Sequence, residues 1–336
     1  MASDELLAMA VNRVTFLKPR EKLEVVEACC LPDRFASLTR RELEEIIGRR
    51  VAGRFEPPRL LLEQAREDRK RLTRGEFQCT FYWKRDFPPQ LREIFDPPVV
   101  IYYRGRLPDW SRPLVAVVGT RHPTGDAREC CYALAFELSC AGITTVSGLA
   151  RGIDAEAHRG SVDGGGATIA VLGNGIDLIF PQSSRKVGRR LLNHGGALIA
   201  EYPPGFPPLA RHFPARNRII SGLARTVVVV QAPVRSGALI TADYALEQGR
   251  DLVVHQCGLA GKTGEGTRGL ADQGAEVVRT AGDLLAGWGV GQRIFPVQSG
   301  EEHAGSRETG RKLARLLELE MTDRAIFRNG KVFKKL

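Results

Sequence analysis

From Leu114 to about Leu285 the chain alternates short apolar runs with helical patterns, joined by brief turns rich in Gly, Ser and Pro, and few folds accept that rhythm. The runs Leu114–Val118, Ile143–Val146, Thr168–Leu172, Ala197–Ala200, Thr226–Val230 and Leu252–His255 read as strands. A strand–helix alternation predicts an α/β domain with an open, mainly parallel sheet and helices on both faces. The valines at 227–230 suit a central strand buried on both sides. In such sheets ligands bind beyond the carboxyl ends of the strands, so the turns that follow each strand are where function is sought.

The most informative turn is Ser147-Gly148-Leu149-Ala150-Arg151-Gly152-Ile153-Asp154, between a strand and a helix start. Glycines there let backbone approach a ligand with N–H groups pointing outward, and the helix terminus adds partial positive charge, which suits a phosphate. Four further turns read alike: Gly119-Thr120-Arg121, Gly173-Asn174-Gly175, Arg216-Asn217-Arg218, and Ser236-Gly237 with Thr241 a turn beyond. Each offers small residues, a hydroxyl or an arginine, whose planar fork of donors matches phosphate and lies flat on a base. Together they predict a cationic shelf along one sheet edge that holds the backbone of a single nucleic-acid strand. On that reading, loss of Arg121 flattens the salt dependence of binding by about one unit of slope per phosphate contact.

Other chemistries find less support. Arg121 and His122 stand where a dinucleotide fingerprint needs glycines, and Gly261-Lys262-Thr263 lacks the upstream glycine of a P-loop. Asp154 and His158 share one helix face at i and i+4, but no nucleophile is tied to them by spacing, so a loop-ordering role is expected. The seven cysteines are an odd number without a CxxC pair and read as reduced thiols rather than a zinc site or disulfide frame. No cofactor or metal is expected. No apolar run approaches the ~20 residues of a membrane helix, and the acidic start Met1-Ala2-Ser3-Asp4-Glu5 lacks a signal region, so a cytoplasmic protein without membrane contact is expected. The net charge of +10, spread over the chain, favours a polyanionic partner.

The flanks are organised differently. Residues 1–75 read as a helical domain, with a capping box at Thr39 and Glu42, a helix stop at Gly48 and a basic helix over Arg59–Leu72. It lacks a Gly-containing hairpin that would present backbone to phosphates. Residues 76–113, where aromatics alternate with prolines, form a lead-in expected to pack domain against domain, with a strand near Val99–Tyr103. The sheet domain is set at 114–287 and a linker at 288–306. Residues 307–336 follow, as a helix and a hairpin about Asn329-Gly330 that resemble the end of a winged-helix domain.

Taken in order, the motifs Val115–Arg121, Ser147–Asp154 with Ala157-His158, Thr168–Gly175, Phe213–Leu223 and Ser236–Ala242 resemble the DNA-processing protein A (DprA, or Smf) family. The resemblance implies an extended Rossmann-like domain that binds single-stranded DNA without turnover, forms a homodimer and loads a RecA-type recombinase during natural transformation. It puts the family's DNA-contacting arginine on Arg121. The family's Tyr-Pro-basic stretch is here Phe180-Pro181-Gln182, with Arg185 or Lys186 as the replacement charge. A second departure is His255-Gln256-Cys257-Gly258, where the family has Val-Pro-Gly. The rival reading is a Rossmann-like nucleotide-binding enzyme that cleaves phosphoribosyl bonds. Its Pro-Gly-Gly-x-Gly-Thr turn is not found at Ser236–Ala242, where the acidic neighbour is Asp243.

Overall fold

The computed structural model describes residues 2–52 and 55–288, together with two short strands near the C-terminus. Five helices come first: α1 (Ala2–Asn12), α2 (Pro19–Cys29), α3 (Pro32–Ala36), α4 (Arg40–Ile47) and α5 (Pro58–Thr73). Thr39 caps α4 in the predicted box with Glu42, and Gly48 ends it in the left-handed conformation. The lead-in supplies β1 (Gln78–Phe81), the short α6 (Pro89–Arg92) and β2 (Val100–Gly105). The alternating region follows: β3 (Leu114–Val118), α7 (Gly125–Cys140), β4 (Thr144–Ser147), α8 (Ile153–Asp163), β5 (Thr168–Leu172), α9 (Arg185–Asn193) and β6 (Ala197–Ala200). It continues with α10 (His212–Leu223), β7 (Thr226–Val229), α11 (Gly237–Glu247), β8 (Asp251–His255), α12 (Glu265–Asp272), β9 (Glu276–Val278) and α13 (Ala281–Gly287).

The strands form one nine-stranded sheet in the order β1-β2-β6-β5-β4-β3-β7-β8-β9. From β6 to β9 every pairing is parallel, and β2 joins β6 antiparallel. The parallel part of the sheet starts at β3, winds outward through β4, β5 and β6, then returns to the other side of β3 as β7. Strand order therefore reverses at β3, and the carboxyl ends of β3 and β7 make the crevice such sheets use for ligands.

Alternate residues of each buried strand feed the two faces. Val115 and Val117 pack with Ala127, Leu134, Ile153 and Ala157 of α7 and α8, while Leu114, Ala116 and Val118 pack with Ile219, Ile220 and Ala242 of α10 and α11. The N-terminal helices share a core with the sheet, because Leu7, Met9 and Val25 lie in one apolar cluster with Tyr102, Leu172 and Leu198. Phe77 and Phe81 of the lead-in are buried in that cluster too. Residues 2–288 fall in one compact unit, and the strands β10 (Ala325–Arg328) and β11 (Lys331–Lys334) fall in another. Those two pair antiparallel with Arg328 opposite Lys331, the register a two-residue turn imposes. The expected linker, the helix over Gly310–Met321 and the Asn329-Gly330 turn itself lie outside the described residues.

Candidate nucleic-acid interface

The turn between β4 and α8 is a braced arch. The Asp154 carboxylate is buried and accepts the backbone N–H of Ala150 at 3.3 Å, and the N–H of Gly148 also stabilises its charge. Arg216, buried on α10, donates to the carbonyl oxygens of Gly148 (2.8 Å) and Val171. A Cβ on Gly148 would lie 2.6 Å from the Arg216 guanidinium and 2.7 Å from the Asp154 carboxylate, so the space between the two charges admits only hydrogen. Gly152 serves differently: at φ +80 it turns the chain into α8, where a Cβ would meet the Thr120 carbonyl at 2.4 Å. Burial pushes the Asp154 pKa up against the pull of Arg216, and burial pushes Arg216 down to about 10.

This corrects the expectation that the turn aims its N–H groups outward: those of Gly148 and Ala150 are taken up by Asp154. What reaches solvent is Arg151, exposed at the apex. The helix pair Asp154 and His158 likewise does not act as a couple. His158 is fully buried with Nδ1 2.9 Å from Thr168 Oγ1, which spends its own proton on the Thr145 carbonyl, so His158 donates through Nδ1. Burial and then the Arg216 charge lower its pKa to about 3, leaving a neutral imidazole. The ordering role expected from spacing fits these bonds.

A relay of contacts joins the strand-following loops along the sheet edge. The Thr120 N–H donates to the Gln231 carbonyl at 2.7 Å, and the Gln231 side chain bonds the backbone N–H (2.9 Å) and hydroxyl (3.2 Å) of Thr124, locking the β3 and β7 loops together at the switch point. The Ile153 N–H donates to the Thr120 carbonyl at 3.2 Å, which ties in the β4 loop. Arg216 ties in β5. Asn217, half-buried, donates to the Gly237 carbonyl at 3.1 Å and so links α10 to the start of α11.

The nineteen residues expected on the shelf separate into two groups. Arg121, Arg151, Phe180, Arg185, Lys186 and Gly237 are exposed at this rim; Gly119, Gly152, Asn217 and Ser236 are half-buried there. Thr120, Ser147, Gly148, Gly173, Asn174, Gly175, Arg216, Arg218 and Thr241 are buried, and their polar groups serve the fold. Ser147 donates to the Val117 carbonyl at 2.7 Å. Asn174 donates to the carbonyls of Gly175 (2.9 Å) and Leu178 (2.6 Å). Arg218 pairs with Glu201 at 2.7 Å and donates to the Asp96 carbonyl at 3.0 Å. That pair reaches the N-terminal helices, since Asn12 donates to the Glu201 carbonyl at 2.7 Å and Lys22 to Asn12 at 3.0 Å. Burial lowers the Lys22 pKa to about 8. Arg216 and Arg218 are thus buttresses rather than surface donors, because their partners arrive from β4, β5 and β6.

Two exposed cations escaped sequence reasoning, Arg211 just before α10 and Arg235 just before the Ser236 cap of α11. A helix N-terminus favours acids and disfavours cations by a few tenths to about 1 kcal/mol. Helices α2, α3, α4, α7 and α13 follow that rule with Glu21, Asp33, Glu42, Asp126 and Asp283 in their first turns. Outside the sheet domain α5 and α6 lack an acid there, α5 with Arg59 in its first turn. Among the described α-helices that follow β3 only α9, α10 and α11 lack one, and Arg185, Lys186, Arg211 and Arg235 stand in or beside those turns. A basic residue directly ahead of an acid-free helix start is the signal that marks them. Phe180, 39% exposed, sits at the same rim with its ring 5.8 Å from that of Phe213. A cavity of about 300 Å³ lined by Gln90, Leu223 and Arg250 opens instead at the opposite edge, beside the strand starts at Leu114 and Asp251.

Comparison with known proteins gives one answer. The chain is 39% identical over 272 residues to protein Smf of Synechocystis, an alignment covering 80% of this chain and 66% of that one. It is 39% identical over 200 residues to the DNA processing protein DprA of Streptococcus pneumoniae, covering 60% of this chain and 70% of the relative. The structure of S. pneumoniae DprA superposes with a TM-score of 0.67 at 32% identity, over 85% of this chain and 98% of that one. DprA of Helicobacter pylori, studied for its single-stranded DNA binding mode, superposes with a TM-score of 0.57 at 28% identity, over 63% of this chain and 96% of that one. With its Rossmann-like sheet and with residues 78–289 matching the family's own model, this chain belongs to the DNA recombination-mediator protein A family.

Proposed function

We propose that the rim formed by the β3, β4, β5, β6 and β7 loops binds single-stranded DNA through its phosphates and mediates recombination without chemical turnover. The observation that carries this is the placement of cations at the starts of α9, α10 and α11, where a helix by itself prefers acids. Such a rim gains only when an anion lies on it, and a phosphate backbone supplies anions at regular spacing. Arg121, Arg151, Arg185, Lys186, Arg211 and Arg235 are the exposed charges that make the shelf, and Phe180 is the ring on which a base stacks. H. pylori DprA, by its description, binds single-stranded DNA, which supports the same ligand here. Loading of a RecA-type recombinase and action as a homodimer belong to this reading as what the family resemblance implies.

The test is a salt titration of binding to a labelled oligonucleotide. If four to six phosphates are neutralised, log K falls with log salt with a slope of roughly −3 to −4 for a single strand. Arg121→Ala removes one contact and flattens that slope by about 0.7. An unchanged slope in Arg121→Ala overturns the assignment of that residue. Stronger binding to a mononucleotide than to an oligonucleotide, or release of free base from it, favours the phosphoribosyl-cleaving alternative. Mass in solution with and without a short oligonucleotide reports dimerisation and stoichiometry together.

A further inference from the structure

Where β8 ends against α7, Cys130, His255 and Cys257 each bring a ligand atom to within 4.8 Å of the other two. Cys130 is on α7, His255 closes β8, and Cys257 lies in the 3-10 turn Gln256–Leu259 that follows. His255 is buried and the two cysteines are half-buried, so the group faces solvent on one side only. Both thiols are free of disulfide bonds.

The imidazole is already set as a ligand. Its Nε2 lies 2.9 Å from the Arg279 carbonyl oxygen, which can only accept, so Nε2 carries the proton. That leaves the Nδ1 lone pair, whose one neighbour is the Cys257 N–H at a long 3.3 Å. A backbone carbonyl holding the far N–H is how metal-bound histidines are oriented. Asp126, one turn before Cys130, adds negative potential at both sulfurs.

We propose that Cys130, His255 and Cys257 form a Cys2His site for a thiophilic divalent cation such as Zn2+, with its fourth position open to water. The donor set of two sulfurs and one imidazole nitrogen excludes Mg2+ and Ca2+, which take oxygen. In a tetrahedral zinc site the donor atoms stand about 3.5–3.8 Å apart, so the side chains need close by no more than about 1 Å. Binding displaces the two thiol protons and leaves a neutral site, so affinity rises with pH. Occupancy would clamp the 256–259 turn to α7 and fix the β8 side of the rim. Two of the three ligands, His255 and Cys257, fall in the His255–Gly258 stretch where the chain departs from the family pattern.

Cobalt(II) titration of the full chain, kept reduced with a phosphine, tests this. The expected result is one equivalent bound with visible d–d bands of tetrahedral geometry and a thiolate charge-transfer band, all displaced by one equivalent of zinc. Cys130→Ser and Cys257→Ser each lose the charge-transfer intensity, Cys130→Ala does the same if serine disturbs folding, and Cys140→Ser keeps it. Circular dichroism of each variant verifies the fold. Full intensity in Cys257→Ser overturns the site. So does a reduced wild-type chain that takes up no cobalt, including one whose two thiols merely close to a disulfide on mild oxidation.

Discussion

Replacing Arg216 separates a buttress from a DNA contact. In Arg216→Ala the buried Asp154 loses its cationic neighbour, and the carbonyls of Gly148 and Val171 lose their donor. Breaking a buried pair by removing one partner costs about 3–5 kcal/mol, most of it from the charge left behind. Both groups are fully enclosed, so solvent does not screen this penalty. At about 2–4 °C per kcal/mol, the melting temperature should fall by about 6–20 °C. The assay is thermal unfolding followed by circular dichroism, paired with the salt titration of oligonucleotide binding below the transition. The double variant Asp154→Asn, Arg216→Met leaves no unpaired charge and should recover about 1 kcal/mol or more of the loss. The salt slope of Arg216→Ala should equal that of the wild type. Melting within about 2 °C of wild type, together with a slope flattened as in Arg121→Ala, would falsify the buttress.

Two further outcomes test the same division between inside and outside. Phe180→Ala should weaken oligonucleotide binding by about 1–3 kcal/mol with the salt slope intact, since stacking releases no counterions; undiminished affinity removes Phe180 from the interface. His158 is neutral in the fold with a pKa of about 3, against 6.5 ordinarily, so its contribution is complete above about 6.5 and is lost as pH falls toward 3. Denaturant unfolding should show stability dropping by about 1.4 kcal/mol per pH unit from this group between about pH 6 and 4, a slope His158→Asn should lack. An identical acid profile in the variant refutes the buried neutral imidazole.

The sheet was legible because parallel strands buried on both faces must be apolar almost throughout. Leu114–Val118, Thr168–Leu172 and Ala197–Ala200 are observed at the bounds their composition predicts. Strand β9, Glu276–Val278, was not, because it has three residues on the sheet edge and two of them are exposed. For the proposed interface, what could not be read in advance is which side chains turn inward. Nothing in Arg216-Asn217-Arg218 says that its two arginines turn inward, since the groups that receive them lie on Gly148, Val171 and Glu201. The same holds for Asn174, whose amide is consumed within its own turn. For Cys130 and Cys257, 127 positions apart, no spacing rule connects the thiols; the pairing exists only because α7 packs against the turn that follows β8.

On the proposed reading, the distribution of charge explains how one rim combines rigidity with adhesion. An arginine that lies on a phosphate must be free to keep its own hydration until the ligand arrives, so it cannot also hold the loop in place. Here those tasks fall to different residues: Arg216 and Arg218 are spent on carbonyls and carboxylates beneath the loops, and Arg121, Arg151, Arg211 and Arg235 stand above them. The internal pairs fix the spacing of the loops before any DNA is bound, which cuts the ordering cost that a flexible basic surface would carry. Affinity then depends on how many outer cations meet phosphates, and stability on the inner ones. A substitution in either layer should therefore move one of those two observables and leave the other nearly untouched.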